Sequence, residues 1–250
     1  MIRVEQIMGT AISVDIAGAA DPALLDSVFA WFREVDERFS TYKDGSEVNR
    51  LDRGEIALDY CSDDMRHVLS QTARLWSETG GYFDVYVTGR LDPSGFVKGW
   101  SVQVASDRLL AAGAGDHCLN AGGDVRVRGH PEPGQPWRVG IRHPFEPMKL
   151  AWVLEGTDLA VATSGTYERG FHVLDPFSRV PAQALCSVTV TGAGPSADLG
   201  RADALATAAI AMGDKGIDWL AGLAGYESAV VTRAGEAFRS EGLPVDGWYV

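Results

Sequence analysis

From Asp124 to Thr163 the chain reads DVRVRGHPEPGQPWRVGIRHPFEPMKLAWVLEGTDLAVAT. Four short runs within it, 124–128, 137–142, 150–155 and 158–163, are rich in Val, Ile, Leu and Trp, and Gly, Pro and Asp clusters separate them. Such residues suit a pleated, partly buried surface and the breakers supply turns, so the stretch predicts an antiparallel meander. Runs at 171–174 and 185–191 extend the pattern toward the C-terminus.

Outward from this block, helices replace strands. Residues 197–212 and 214–223 read as helices, and 226–232 closes the pattern as a strand. On the N-terminal side, Ile12, Val14 and Ile16 alternate with polar residues between Gly9 and Ala17, the period of a half-buried strand. Asp21-Pro22 then caps a helix whose Leu24, Leu25, Val28, Phe29, Phe32 and Val35 recur at helical spacing up to Arg38. Ser46 caps a short turn through Leu51, and a second long helix runs from Asp63 to Thr79, ended by Gly80-Gly81. Tyr82 to Val87 reads as a strand, and Val97 to Ala112 as a helix ended by Gly113. Helices lie in blocks rather than alternating with strands, which predicts α+β rather than a doubly wound parallel sheet. With no internal repeat and no linker, residues 1–250 are expected to form a single domain.

Charge narrows the partners. Twenty-two Lys and Arg stand against 34 Asp and Glu, a net charge of −12, which disfavours sequence-independent binding to nucleic acid or anionic lipid and suits metal ions. Met1-Ile2-Arg3-Val4-Glu5-Gln6 has no secretory signal pattern and no run reaches the length of a membrane span, so a cytoplasmic chain with no membrane segment is expected. Cys61, Cys118 and Cys186, odd in number and widely spaced, read as reduced thiols.

Few residues carry chemistry on their own. Asp203 and Thr207, four apart, share a helix face, and Ala202, Ala204, Leu205, Ala206, Ala208, Ala209 and Ile210 make that helix apolar nearly all round. A buried Asp must be paired or coordinate something, and two hard oxygens suit Mg²⁺. Lys98, between Gly95 and Gly99 and beside Phe96 and Trp100, offers a point charge for a phosphate or a ring carbonyl. Gly122-Gly123-Asp124 allows a backbone to approach a ligand closely or forms a turn before the following strand. Gly192-Ala193-Gly194-Pro195-Ser196-Ala197 matches a dinucleotide fingerprint, but Pro195 removes an N–H from the cradle, so it reads as a strand-to-helix turn. Thr163-Ser164-Gly165 is not a hydrolase nucleophile elbow, and His172 in an apolar run reads alone as a hydrogen-bonded core residue.

The order of these pieces is more specific than any one of them. Met8-Gly9-Thr10, Asp36 to Tyr42, Ser46 to Leu51, Gly81 to Val85 and Asp92 to Gly99 are followed by Asn120 to Asp124 and Trp137 to Ile141. Ala162 to Arg169, His172 to Pro176, Ser187 to Val190 and Ala202 to Thr207 complete the series. In this arrangement the chain resembles the FAD:protein FMN transferase family, often called ApbE, over about residues 8 to 210.

The resemblance implies an α+β, ApbE-type fold with tunnelling-fold-like modules, mixed or antiparallel sheets flanked by helices. It implies Mg²⁺ bound by Asp203, Thr207 and the main-chain carbonyl of Gly95, and an FAD site lined by Met8, Tyr42, Tyr82, Phe83, Asp84, Asp92, Lys98 and Val173. His172 and Asp203 are the implied catalytic residues. The implied reaction cleaves the FAD pyrophosphate, attaches FMN through a phosphoester to a Ser or Thr of an acceptor protein, and releases AMP. An FAD pyrophosphatase giving free FMN and AMP, or a non-catalytic FAD-binding protein, are the alternatives. Pro93 and Ser94 before the lysine, and Gln103 where an acidic residue is common, depart from the family pattern.

Overall fold

The computed structural model describes residues 1–18, 21–165 and 173–248. Its strands are β1 (Ile2–Ile7), β2 (Thr10–Ile16), β3 (His117–Ala121), β4 (Asp124–Arg128), β5 (Trp137–Arg142), β6 (Leu150–Gly156), β7 (Asp158–Gly165), β8 (Leu185–Ala193), β9 (Glu227–Thr232), β10 (Ala237–Arg239) and β11 (Val245–Trp248). Eight of them form the central sheet in the order β1-β2-β3-β4-β7-β8-β9-β10, paired antiparallel throughout. A second sheet orders β11-β6-β5, also antiparallel. The expected α+β class, with antiparallel sheets flanked by helices, holds.

Side-chain period decides which layer lies on which face. Ala160 and Ala162 of β7 join the core shared with the helices, while Leu159 and Val161 join the core shared with β5 and β6. On the helical side, α1 (Pro22–Phe39) starts where Asp21 accepts a hydrogen bond from the Ala23 N–H, and buries Phe29, Trp31, Phe32 and Val35. A short α2 (Glu47–Asp52) and α3 (Asp63–Glu78) follow, capped by Ser46 and Ser62. The innermost pair is α4 (Ser94–Ala111) and α5 (Leu199–Met212), with α6 (Lys215–Ala221) beyond. Helices α4 and α5 touch through glycines: a Cβ on Gly99 would stand 2.4 Å from the Leu199 carbonyl oxygen, and one on Gly200 would stand 2.9 Å from Trp100 Cβ.

Two tight hairpins lie side by side at one end of the large sheet. Ala121 pairs with Asp124 across Gly122 and Gly123, at φ 56 and 96, the left-handed pair that a two-residue turn demands. Ile7 pairs with Thr10 across Met8 and Gly9, at φ 54 and 70, so a side-chain-bearing residue sits where glycine is preferred, at a cost of about 1–2 kcal/mol. A Cβ on Gly122 would stand 2.5 Å from Thr10 Oγ1, so a side chain there would push the Thr10 hydroxyl aside where the two hairpins meet.

Three expectations change. Tyr82–Val87 is a turn, not a strand: Gly80 and Gly81 at φ 60 and 89 swing the chain away, and Asp84 Oδ1 accepts from the Tyr86 N–H. The helix expected from Val97 begins at Ser94, so Gly95 and Gly99 on either side of Lys98 both lie within α4. The run at 171–174 is no strand in its described part, where Leu174 makes one bridge to Pro181; Phe171 and His172 lie outside the described residues. The Gly192–Ala197 motif is a strand-to-helix turn, with β8 ending at Ala193 and Asp198 capping α5. Among the described residues no helix is long and apolar enough to cross a membrane, and Cys61, Cys118 and Cys186 are free thiols.

Candidate active site

Four elements bring their polar side chains to one point beside the two hairpins. Lys98, one turn into α4, places Nζ 2.6 Å from Asp124 Oδ2 at the start of β4 and 4.0 Å from Asp203 Oδ1 on α5. The Gly99 N–H donates to Asp203 Oδ2 at 3.1 Å. The Thr163 N–H of β7 donates to Asp124 Oδ1 at 3.3 Å. One turn beyond Asp203, Thr207 Oγ1 lies 3.3 Å from Ser164 Oγ, and a Cβ on Gly95 would stand 3.4 Å from Thr207 Oγ1.

Both acids are out of water, Asp124 at 0% and Asp203 at 3% exposure, while Lys98 keeps a quarter of its side chain accessible. Two carboxylates thus share one ammonium in a desolvated place. Asp203 is held well above the usual carboxylate range, first by burial and then by repulsion from Asp124, against the pull of Lys98 and the Gly99 N–H. A second cation would relieve that repulsion. The available donors, two carboxylates and a hydroxyl, are hard oxygens that fit Mg²⁺. Among the described residues no three His, Cys, Asp or Glu gather into a metal cage. Mg²⁺ has no need of one, since it keeps waters and takes substrate phosphates in its shell.

The walls come from loops. Phe83 is buried with its ring 3.3 Å from where a Gly95 Cβ would be, so the Tyr82–Asp84 turn leans on the first turn of α4. Tyr82 meets Phe177 edge to face at 4.9 Å, which joins that turn to the loop that follows Val173. Asp84 and Asp92 are engaged locally, Asp92 Oδ1 accepting from the Ser94 N–H at the start of α4. Met8 is half-buried in the strained hairpin, and Val173 is half-buried against the main core. Tyr42 stands 98% exposed on a loop tied down by Asn49, whose Nδ2 donates to the carbonyls of Ser40, Thr41 and Lys43.

Of the residues singled out from sequence, Gly95, Lys98, Asp203 and Thr207 converge. The hydrogen bonds of Asp84 and Asp92 stay within their own turns, Tyr42 projects into solvent, and His172 lies outside the described residues. Asp124 is the residue that sequence reasoning passes over, because Gly122-Gly123-Asp124 draws attention for its backbone alone. Its signal was available: a strand whose first residue is acidic and whose other polar members are Arg126 and Arg128 turns a charged face inward. Ser164, set aside as a nucleophile, belongs to the site through Thr207.

Comparison with known proteins follows the same outline. The sequence model of the ApbE family matches residues 8–90 and 88–230. The chain is 38% identical over 138 residues to an FAD:protein FMN transferase of Rhodobacter capsulatus, covering 52% of this chain and 25% of that protein. It is 33% identical over 135 residues to an FAD:protein FMN transferase of Vibrio cholerae, covering 50% of this chain and 39% of that one. The match thus spans well under half the length of either relative. In three dimensions it resembles the flavin transferase ApbE from Vibrio cholerae at a TM-score of 0.82 and 22% identity, over 96% of this chain and 97% of that one. The ApbE protein from Thermotoga maritima gives the same TM-score and coverage at 20% identity. These likenesses establish the fold.

Proposed function

The chain belongs to the ApbE family, and from that premise we propose that it is a Mg²⁺-dependent FAD:protein FMN transferase. It takes FAD, moves the FMN phosphoryl group to a Ser or Thr hydroxyl of an acceptor protein, and releases AMP. The observation that carries the reading is the buried Lys98–Asp124–Asp203 cluster with Thr207 one turn away. An acid pair this desolvated is costly to maintain unless a cation uses it.

Asp203, Thr207 and, on the family resemblance, the main-chain carbonyl of Gly95 would hold the metal, and Asp124 adds a second acid to the same cluster. Mg²⁺ bound there supplies charge neutralisation on the FAD pyrophosphate and on the leaving AMP. Lys98, steadied by Asp124, presents its ammonium to a phosphate oxygen as a second positive charge. The acceptor oxygen forms the new bond to the FMN phosphorus while the bond from that phosphorus to the bridging oxygen breaks, and that oxygen leaves with AMP. We assign the acceptor's proton to His172, carried from the family resemblance. Tyr82, Phe83, Asp84, Asp92, Met8, Tyr42 and Val173 are assigned to the FAD site on the same ground. The Tyr82–Phe177 pair and the Phe83 contact on α4 support a flavin wall on that side.

The test is incubation of the protein with FAD and Mg²⁺, with and without a candidate acceptor, while AMP, free FMN and acceptor mass are followed together. AMP release with a covalent FMN adduct supports the transferase. AMP with only free FMN in every tube replaces it with a pyrophosphatase, and tight FAD binding without AMP replaces it with a flavin carrier.

A further inference from the structure

We propose that Gln103 is a positioning residue, one side-chain amide that fixes α4, β4 and α5 relative to one another and so sets the geometry of the Lys98–Asp124–Asp203 centre. This rests on the function proposed above for that centre. Gln103 Oε1 accepts from Arg126 Nε at 3.2 Å and from the Leu199 N–H at 3.3 Å, and its Nε2 donates to Asp107 Oδ1 at 3.1 Å. Each contact is a short lever on a site residue. Lys98 precedes Gln103 on the same helix, Asp124 precedes Arg126 by two on the same strand face, and Leu199 lies one helical turn before Asp203.

The partners leave the amide one orientation. Arg126 and a backbone N–H only donate, and the Asp107 carboxylate only accepts, so oxygen must face the first two and nitrogen the third. The surroundings raise the stakes. Arg126 is 0% exposed, and its Nη1 is held by Asp158 at 2.5 Å and by the Val127 carbonyl at 2.9 Å. Asp107 Oδ1 is shared with Arg128 Nη2 at 2.6 Å. Gln103 therefore closes a network running from Asp158 to Arg128. A leucine of similar size would leave both its donors unmatched. A glutamate would keep the two acceptor contacts and set its charge against Asp107. The three hydrogen bonds of Gln103 go to Arg126, Leu199 and Asp107, so its influence passes through the elements that carry Lys98 and the two acids.

Three variants test this: Gln103→Leu, Gln103→Glu, and Gln103→Glu combined with Asp107→Asn. The last reverses the polarity of the pair, since the new amide donates to the new carboxylate and still accepts from Arg128. Each is compared with wild type at a temperature where circular dichroism finds it folded. Mg²⁺ binding is read by calorimetry and AMP release by steady-state kinetics on FAD. Gln103→Leu is expected to weaken Mg²⁺ binding or lower kcat by about 10–100-fold, the usual effect of losing a residue that orients a site, with KM for FAD changed by less than about threefold. The double variant is expected to recover most of that loss, and Gln103→Glu alone only part. If folded Gln103→Leu binds Mg²⁺ and turns over as wild type does, Gln103 is merely structural. Gln103 is likewise structural if Gln103→Leu does not fold and Gln103→Glu matches wild type in both readouts. If wild type releases no AMP while Mg²⁺ binding still falls in Gln103→Leu and returns in the double variant, the positioning role stands and the transferase reading fails.

Discussion

Gly99→Ala places one methyl group at the closest approach of α4 and α5. Its Cβ would stand 2.4 Å from the Leu199 carbonyl oxygen and 2.9 Å from both the Leu199 carbonyl carbon and Asp203 Cβ. Ordinary contact begins near 3.4 Å, so α5 must retreat by about 1 Å, and the obstacle is backbone that cannot rotate aside. Gly99 has a helical backbone, so alanine gains about 1 kcal/mol of helix propensity. Overpacking against main chain costs about 2–3 kcal/mol, which leaves a net loss of about 1–2 kcal/mol. For a chain of this length that lowers the melting temperature by about 2–8 °C. The larger effect falls on the site. The retreat pulls Asp203 off the Gly99 N–H, now 3.1 Å away, and away from Lys98. A displacement of about 1 Å in a reacting constellation costs about 100-fold in rate. The assay pairs thermal melts with AMP release at a temperature where both proteins are folded. Gly45→Ala is the control, because a Cβ there meets nothing within 4 Å. If Gly99→Ala melts and turns over like wild type, the close helix contact does not hold the site as argued.

Asp203→Ala is expected to stay folded by circular dichroism and to lose Mg²⁺-dependent AMP release, since the remaining Lys98–Asp124 pair is self-neutralising. Lys98→Ala is expected to weaken FAD binding in a fluorescence titration by about 10-fold or more, the loss of one charge-assisted contact, and an unchanged titration makes Lys98 structural. His117 gives a pH prediction away from the site. Burial pushes its pKa down from 6.5 to about 4, and its ring is pinned between Ser106 Oγ and the Ala114 carbonyl, each at 2.7 Å. Because that carbonyl can only accept, Nδ1 carries the proton and Nε2 accepts from Ser106. The neutral ring is favoured in the folded state, so its stabilisation is full above about pH 6.5 and is lost as pH falls toward 4, by about 3 kcal/mol in all. Urea midpoints of wild type and His117→Asn between pH 7 and 4 check this: the wild-type curve should fall more steeply.

Much of the fold was legible because its signals are local. The 124–163 strands are short apolar runs bounded by Gly, Pro and Asp, and the helix caps at Asp21 and Ser46 stand where the sequence places them. Tyr82–Val87 misled because an aromatic and β-branched run resembles a strand, whereas the two left-handed glycines before it and the Asp84 turn decide its path. Strand β11 was illegible for another reason: it exists by pairing with β6, far away in sequence, and its own composition is unremarkable. The same division runs through the site. Asp203 and Thr207 could be read because both lie on one helix whose other residues are apolar. Asp124 could not be tied to Lys98, because only the packing of α4 on the sheet brings them to 2.6 Å. Gln103 reads from sequence only as a departure from a family pattern, because its three partners come from α4, β4 and the start of α5.

Cation binding by the buried acids of α5 and β4, for work on a pyrophosphate, is what the proposed function depends on. Its most direct test is a calorimetric titration of Mg²⁺ into the protein saturated with ADP, repeated with Asp203→Asn and Thr207→Val. One Mg²⁺ site in wild type, lost in Asp203→Asn and weakened in Thr207→Val, is the predicted result. Equal Mg²⁺ affinity in all three proteins would contradict it.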